Sequence, residues 1–279
     1  MLGALYGDIA GSRFELGQRE VERNFKLFLP GSKFTDDSLM TLAVAEALVA
    51  TRSDRTNYKD VLIGCMKRIA SQHPNVSWGS KFYNWLFIQR HPVPMNSYGN
   101  GAAMRIAPVG WVCETLDATI ELSRLTTEIS HNHPEGIKGA ESVAVAIFMA
   151  RTGCSKEQIK EKMIQYYPEL ATMTVDGIIK SGYGLDETGN WVTCQGSVPQ
   201  SICAFLESNS FEDAVRKAIS YGADTDTQGC ITGSIAEAYY GISYDVEDKI
   251  LEYFPDDLKS TYFAFDSIKK KRLKIENRH

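Results

Sequence analysis

The sequence predicts an all-α protein folded as a single compact multi-helix domain, with about ten or more helices. Apolar residues recur at helical spacing along most of the 279-residue chain. Strand signals are few, and segment 191–194 is too isolated to make a sheet. No repeat, low-complexity tract or long Pro/Gly linker divides the chain. We therefore expect one domain over residues 1–279, with functional motifs at about 3–241 and C-terminal helices and a tail at 242–279.

The predicted helices follow one another from the start of the chain. The first carries glycine at four-residue spacing (Gly3, Gly7 and Gly11), and the second, at 38–50, is rich in Ala and Leu and contains no Gly or Pro. The remaining helical patterns cover 59–72, 79–90, 116–129, 135–152, 155–166, 211–220, 226–240 and 246–254.

Glycine marks the first helix and the helix at 226–240, which carries Gly229 and Gly233. Glycine costs about 1 kcal/mol relative to alanine inside a helix, so a stripe of it needs a reason. Tight packing between helix backbones is the simpler interpretation. Unwinding near a ligand is the alternative, and it gains from position, since Asp8 lies within one stripe and Asp224 precedes the other.

Composition excludes several classes of function. A net charge of −5 and a pI near 5.6 argue against general nucleic-acid binding. The six cysteines are scattered, as in a reduced cytosolic protein. The first residues lack a basic signal-peptide region, and the longest apolar stretch, 143–150, is too short to span a bilayer. We expect a cytoplasmic protein, a monomer or weak homodimer, with no membrane attachment.

Two acidic clusters each stand directly before an apolar helical pattern: Thr35-Asp36-Asp37-Ser38 and Asp224-Thr225-Asp226-Thr227. Helix capping explains either cluster alone, but together they supply more oxygen atoms than caps need. If the fold joins them, each pair of charges about 4 Å apart repels by roughly 4 kcal/mol at an effective dielectric near 20. Divalent cations between the carboxylates would relieve this repulsion. Oxygen-only ligands suit Mg²⁺ or Mn²⁺ better than zinc, so the clusters predict a two-metal site.

Three further segments carry candidate functional groups. Helical spacing places Asp8 and Glu15 on one side of the first helix, so either could face the site; solvent exposure is the alternative. The small residues of 97–105 expose backbone N–H groups that suit a pyrophosphate, although an ordinary turn explains them equally well. Segment 130–134 contains His131 and precedes a helix; a polar helix start is the simpler interpretation, and a zinc pair is disfavoured.

Taken together, these motifs closely resemble those of the ADP-ribosylglycohydrolase family, which includes the hydrolase that reactivates dinitrogenase reductase. The motifs occur in family order from residue 3 to about 241. The resemblance implies an all-helical fold with a binuclear Mg²⁺ or Mn²⁺ centre in a cleft. The metal ligands that it implies are Thr35, Asp36, Asp37, Asp224, Asp226 and Thr227.

The resemblance also implies how substrate is bound and attacked. Glu15 matches a mobile acidic residue proposed to assist catalysis, and Asp36 could share this role. The implied substrate-binding residues are Ser97, Tyr98, Gly99, Asn100, Gly101 and His131, of which the loop residues would hold the diphosphate and adenosine. Asp8 matches a frequent acidic position whose role is open. Ala223 replaces the second glycine of the usual Gly-Gly-Asp, and Glu237 stands where many members have glycine.

The implied activity is hydrolysis of the glycosidic bond at C1 of the distal ribose in a protein or small-molecule ADP-ribose conjugate. Two alternatives are a two-metal phosphodiesterase acting on the pyrophosphate and a non-catalytic, ADP-ribose-binding or crystallin-like member. No acid lies between Met95 and Gly110 to pair with a guanidinium, which leans against arginine conjugates. Serine, O-acyl and modified-base linkages also remain possible.

Overall fold

The computed structural model describes residues 1–15, 21–185 and 188–276, without the side chains of 185 and 271–276. Within these residues the regular structure is helical. Their only β-type pairing is an isolated antiparallel bridge between Gly99 and Thr193. The all-α prediction is therefore confirmed. Among the described helices, none combines the length and apolar character that a membrane crossing requires.

The α-helices in the described residues have the following bounds: α1 Leu2–Gly11, α2 Asp36–Ala50, α3 Tyr58–Gln72, α4 Ser80–Tyr83, α5 Gly101–Met104, α6 Ala107–Val112, α7 Leu116–Glu128, α8 Pro134–Arg151, α9 Lys156–Tyr166, α10 Val175–Lys180, α11 Cys194–Leu206, α12 Phe211–Ser220, α13 Thr225–Tyr240, α14 Tyr244–Leu251 and α15 Asp256–Glu276. A π-helical turn, Asn84–Ile88, extends α4, and 3₁₀ turns lie at Pro168–Ala171, Tyr183–Leu185 and Asn190–Val192.

Most helices predicted from periodicity are present, with ends shifted by a few residues. The sequence patterns did not predict α11, which contains Pro199 and is buried around most of its circumference, so it lacks a polar stripe. The strand-like segment at 191–194 is instead a 3₁₀ turn that leads into α11.

Helices α1 and α13 form the centre of the domain and pack backbone against backbone. A Cβ atom added to Gly7 would lie 1.9 Å from the carbonyl oxygen of Gly229, and one added to Gly3 would lie 2.1 Å from that of Gly233. Both distances are far below a van der Waals contact. The interpretation of the glycines as a tight packing surface is therefore confirmed, and this packing brings Asp8 beside the start of α13.

Glu237, one of the two departures from the family motifs, fixes the far end of this helix pair. Its carboxylate accepts hydrogen bonds from the Met1 amine, the Gly3 amide (2.7 Å) and Lys269 of α15. Burial alone would raise the pKa of Glu237, but Lys269 and the Met1 amine outweigh burial and lower it to about 2. The glutamate at this position is therefore an ionised structural anchor.

Candidate active site

The two acidic clusters lie side by side. Thr35 is the N-cap of α2 and accepts a hydrogen bond from the Asp37 amide (3.2 Å). Asp224 occupies the same position before α13 but makes no side-chain cap hydrogen bond. Thr227 Oγ1 donates to Asp37 Oδ2 across 3.4 Å, which links the starts of the two helices.

Glu15 joins the carboxylates at the start of α13. One oxygen of Glu15, one of Asp224 and one of Asp226 all lie within 4.8 Å of one another. Helix α1 ends at Gly11, however, so Glu15 lies in the turn that follows the helix. Glu15 therefore faces the site, but helical spacing is not the reason. The turn that follows α1 directs this side chain to the site.

Asp8 supports the start of α2 and does not line the cleft. Its Oδ1 accepts from Thr35 Oγ1 (2.8 Å), and its Oδ2 accepts from the amides of Thr35 (3.0 Å) and Ser38 (3.1 Å). Ser38 Oγ also donates to Oδ2. Burial raises the pKa of Asp8 to about 6 in spite of these donors. The carboxylate whose role the sequence left open therefore positions the first acidic cluster.

The crowded carboxylates resist ionisation. Burial, and then neighbouring carboxylates, raise the pKa values of Asp36, Asp37 and Asp226 well above the usual range. Burial also raises the pKa of Glu15, with further contributions from Asp224 and Asp8. Asp37 Oδ1 is buried and has no hydrogen-bond partner within the described part of the chain. A spare buried acceptor among oxygen-only donors fits a divalent-cation centre.

These carboxylates form the floor of a cleft of about 470 Å³. The loop at 97–101, with the residues after it, forms a wall of the cleft, and segment 77–82 also lines the cleft. The predicted residues that line the cleft are Glu15, Asp36, Asp37, Asp224, Asp226, Thr227, Ser97, Gly99, Asn100, Gly101 and His131. Thr35 lies behind this lining, because its hydroxyl donates to Asp8 and contacts Asp37.

Tyr98 is the one predicted substrate-binding residue outside the lining of this cleft. Its side chain is 45% exposed outside the cleft lining, and its ring packs edge-on against His133 at 5.1 Å between centroids. An isolated antiparallel bridge pairs the next residue, Gly99, with Thr193. Tyr98 lines a neighbouring groove that shares Ser97 and Gly99 with the cleft, so its part in substrate binding stays a prediction.

The loop is also less open to anions than the sequence suggested. The Gly99 amide donates to Ser97 Oγ (3.2 Å), and the Asn100 amide donates to the carbonyl of Val192 (2.9 Å). Asn100 Nδ2 donates to Asp224 Oδ2 (2.6 Å), which ties the loop to the acidic floor. The expected row of free amides is therefore partly occupied by contacts within the protein.

Sequence reasoning gave no role to several residues of the cleft. Trp78 and Phe82 supply aromatic surface, while Lys81 and Arg105 supply positive charge. Segment 77–82 carries no motif, and only the folded chain shows that it faces the acidic floor. Arg105 was visible at the end of the glycine-rich motif, but its side-chain contacts could not be inferred from that position.

Comparisons with known proteins agree with this architecture. A family model described as ADP-ribosylglycohydrolase matches residues 1–266. The chain is 25% identical over 312 residues to the human ADP-ribosylhydrolase ARH3, covering 87% of this chain and 84% of that protein. The mouse ARH3 match is 30% identical over 185 residues, covering 52% of this chain and about half (50%) of that protein.

Two other similarities span most of the chain. ADP-ribosylarginine hydrolase Tri1 of Pseudomonas putida is 24% identical over 273 residues, covering 87% of this chain and 70% of that protein. A solved structure titled ADP-ribosylglycohydrolase-related protein complex superposes with a TM-score of 0.70 at 21% identity, covering 96% of this chain and 95% of that one. That structure supports the fold. Because the family model covers nearly all of the sequence, the chain belongs to the ADP-ribosylglycohydrolase family.

Proposed function

We propose that this protein is a divalent-cation-dependent hydrolase that cleaves the glycosidic bond at C1 of the distal ribose in ADP-ribose conjugates and releases ADP-ribose. The observation that carries the proposal is the meeting of Glu15, Asp37, Asp224 and Asp226 on the floor of one cleft. The cleft volume of about 470 Å³ lies in the usual range for small-molecule sites. Family membership supports the same class of substrate.

The layout of the cleft suggests how an extended nucleotide would lie. The floor would take the hydroxyl-rich distal ribose, and the wall at Ser97, Gly99 and Asn100 would take the diphosphate. The hydrogen bond from Asn100 to Asp224 fixes the loop wall relative to the acidic floor. Binding energy from the diphosphate and adenosine would thus hold C1 over the carboxylates.

The acidic residues have distinct roles in this proposal. Asp36, Asp37, Asp224 and Asp226, with the hydroxyls of Thr35 and Thr227, would hold two Mg²⁺ or Mn²⁺ ions. When bound, these ions would supply Lewis-acid polarisation and orient the ribose hydroxyls. Glu15 would accept the proton of the attacking water, and Asp36 is the alternative base. Departure of the leaving group would leave positive charge at C1. The water oxygen would then bond to C1, and the proton that Glu15 takes from the water would pass to the departing oxygen.

The cleft offers limited recognition of an arginine leaving group. Outside the acidic floor, the described lining residues include no carboxylate, and they include Lys81 and Arg105. A guanidinium would have to compete with the cations for the floor carboxylates. We therefore favour O-linked conjugates, such as serine or O-acyl esters, over arginine, and a modified base remains a candidate.

The decisive experiment compares ADP-ribosylated arginine, serine, O-acetyl and nucleic-acid substrates, with Mg²⁺ or Mn²⁺ and with EDTA. We expect free ADP-ribose as the product, and loss of turnover in EDTA and in Asp226→Ala. Asp117→Ala, an exposed acid in the first turn of α7, is the matched control. AMP plus ribose phosphate would identify a phosphodiesterase, and binding without any product would identify a non-catalytic protein. Wild-type turnover in EDTA would exclude the metal mechanism.

A further inference from the structure

Arg105 is a buried cation whose role is not explained by the acidic floor. The residue belongs to the cleft lining but is fully buried, with its guanidinium 5.5 Å from the centre of the Phe82 ring. Its Nη2 donates to Ser130 Oγ at 2.6 Å. Its Nε and Nη1 are buried with no hydrogen-bond partner in the described ranges. Among the described residues, the Arg105 guanidinium therefore makes one side-chain hydrogen bond, to Ser130.

The contact between Arg105 and Ser130 determines where the serine proton goes. Arginine has only donors, so Ser130 Oγ must accept from Arg105. The same oxygen lies 2.8 Å from His131 Nδ1. Arginine cannot accept the serine hydrogen, and among the described residues His131 Nδ1 is the other polar atom within hydrogen-bond distance of Oγ. The buried hydroxyl is therefore satisfied as a donor when it donates to Nδ1. A neutral imidazole whose Nδ1 accepts carries its proton on Nε2.

The protonated edge of His131 faces the glycine wall. A Cβ added to Gly101 would lie 3.5 Å from Nε2, and one added to Gly99 would lie 3.7 Å from it. Larger side chains at these positions would cover this nitrogen. His131 lines the cleft, and its Nε2 makes no hydrogen bond to another described residue. Burial and the charge of Arg105 also lower the pKa of His131 well below its usual value.

We propose that Arg105 and Ser130 are positioning residues that lock His131 as a neutral imidazole with its proton on Nε2, a permanent hydrogen-bond donor for a phosphate oxygen of the bound diphosphate. The identity of the ligand rests on the proposed function, whereas the tautomer does not. The Gly99 and Asn100 amides already donate hydrogen bonds within the protein. His131 Nε2 would supply a hydrogen bond to the diphosphate in their place. A neutral donor also keeps the same hydrogen-bonding character on both sides of neutral pH.

The tautomer can be measured without substrate. In ¹⁵N NMR of the imidazole side chains, we expect His131 to show a protonated Nε2 and an accepting Nδ1 at neutral pH. Ser130→Ala should produce a mixture of tautomers, because nothing then donates to Nδ1. Ser142→Ala removes another buried hydroxyl, one that donates to the Gly139 carbonyl, and should leave the His131 spectrum unchanged. An Nδ1-protonated or charged His131 in the unmodified protein would overturn the proposal.

The donor role can be measured as affinity for ADP-ribose by calorimetry. His131→Ala should weaken binding about 10- to 100-fold, as expected for a hydrogen bond to a charged group. In His131→Gln the amide nitrogen can reach the position of Nε2, so binding should recover to within about tenfold of the unmodified protein. His131→Asn places its amide near Nδ1 and should bind as weakly as His131→Ala. Equal affinity of the Gln and Asn variants would contradict the assignment.

Two outcomes separate this inference from the proposed function. If the protein binds ADP-ribose with the predicted variant order but hydrolyses no conjugate, the hydrolase proposal fails and the role of His131 stands. Suppose that the protein hydrolyses a conjugate, while Ser130→Ala keeps the original KM and the original ¹⁵N spectrum of His131. The positioning role of Arg105 and Ser130 is then wrong, and the hydrolase proposal stands.

Discussion

Thr227 Oγ1 donates to Asp37 Oδ2 over 3.4 Å, although 190 positions separate the two residues in the sequence. The other oxygen of Asp37 has no partner in the described chain and is buried. The Asp37 carboxylate thus joins α2 to α13 through Oδ2, and its Oδ1 can still accept a cation. We infer that this arrangement reduces the stability of the metal-free protein and favours cation binding.

Asp37→Asn should therefore change stability in opposite directions with and without cations. Without metal, the substitution removes a buried charge from a repulsive cluster and should raise the melting temperature. With Mn²⁺ or Mg²⁺ at about a hundred times the dissociation constant, the unmodified protein should gain about 2.7 kcal/mol, and the variant should gain little. Calorimetric melting with and without chelator measures both effects. Asp117→Asn is the control; an equal metal-induced gain in Asp37→Asn would refute the assignment.

The packing of α1 on α13 gives a second prediction. Gly7→Ala would place a methyl group 1.9 Å from the Gly229 carbonyl oxygen, and neither backbone can yield without separating the helices. We expect a loss of about 3 kcal/mol or more in the free energy of unfolding, measured by urea denaturation.

Gly64→Ala in α3 is the matched control, because a Cβ there would have no neighbour within 4 Å in the described part of the chain. Because alanine has a higher helix propensity than glycine, Gly64→Ala should leave the free energy of unfolding unchanged or raise it by up to about 1 kcal/mol. Similar losses in both variants would mean that the helices do not meet as described.

Ala223 precedes Asp224 with a positive φ of 64°, a conformation that favours glycine. An alanine in this region costs about 1–2 kcal/mol per residue. Ala223→Gly should relieve this strain and raise the unfolding free energy by up to about 1 kcal/mol, after allowance for the more flexible unfolded chain. Ala238→Gly, in the regular helix α13, should have the opposite effect. Destabilisation by both substitutions would exclude strain at Ala223.

Local sequence patterns predicted the parts of the site that depend on residues close together in the chain. Thr35 followed by two aspartates is typical of a helix start, and α2 begins there. The location of Glu15 was not predictable from helical spacing, because a turn beyond Gly11 sets it. The bridge between Gly99 and Thr193 pairs segments that are distant in the sequence, so no local pattern predicts it. The interaction of Arg105 with Ser130 is likewise fixed by tertiary packing.

Glu237 gives a prediction with a defined pH dependence. Its pKa falls from 4.5 to about 2 on folding, so ionisation of Glu237 stabilises the fold, although burial lowers the pKa of its Met1 partner to about 5 and opposes part of this gain at neutral pH. A depressed carboxyl pKa stabilises the protein above the unfolded-state value, and this contribution is lost as the pH falls from 4.5 toward 2. Glu237→Gln should therefore destabilise the protein at neutral pH, with the difference from the unmodified protein shrinking below pH 4.5.

Denaturation curves over this pH range test the anchor directly. Glu252→Gln changes an exposed glutamate after α14 and should produce no such pH-dependent difference. Lys269→Met removes the partner on α15 while keeping an apolar side chain over the Trp111 ring, which Lys269 approaches to 4.0 Å. Because Glu237 then retains, among its contacts with described residues, those with Met1 and Gly3, its pKa should rise toward the usual value. A pH-independent difference for Glu237→Gln would mean that Glu237 contributes by packing and not by its charge.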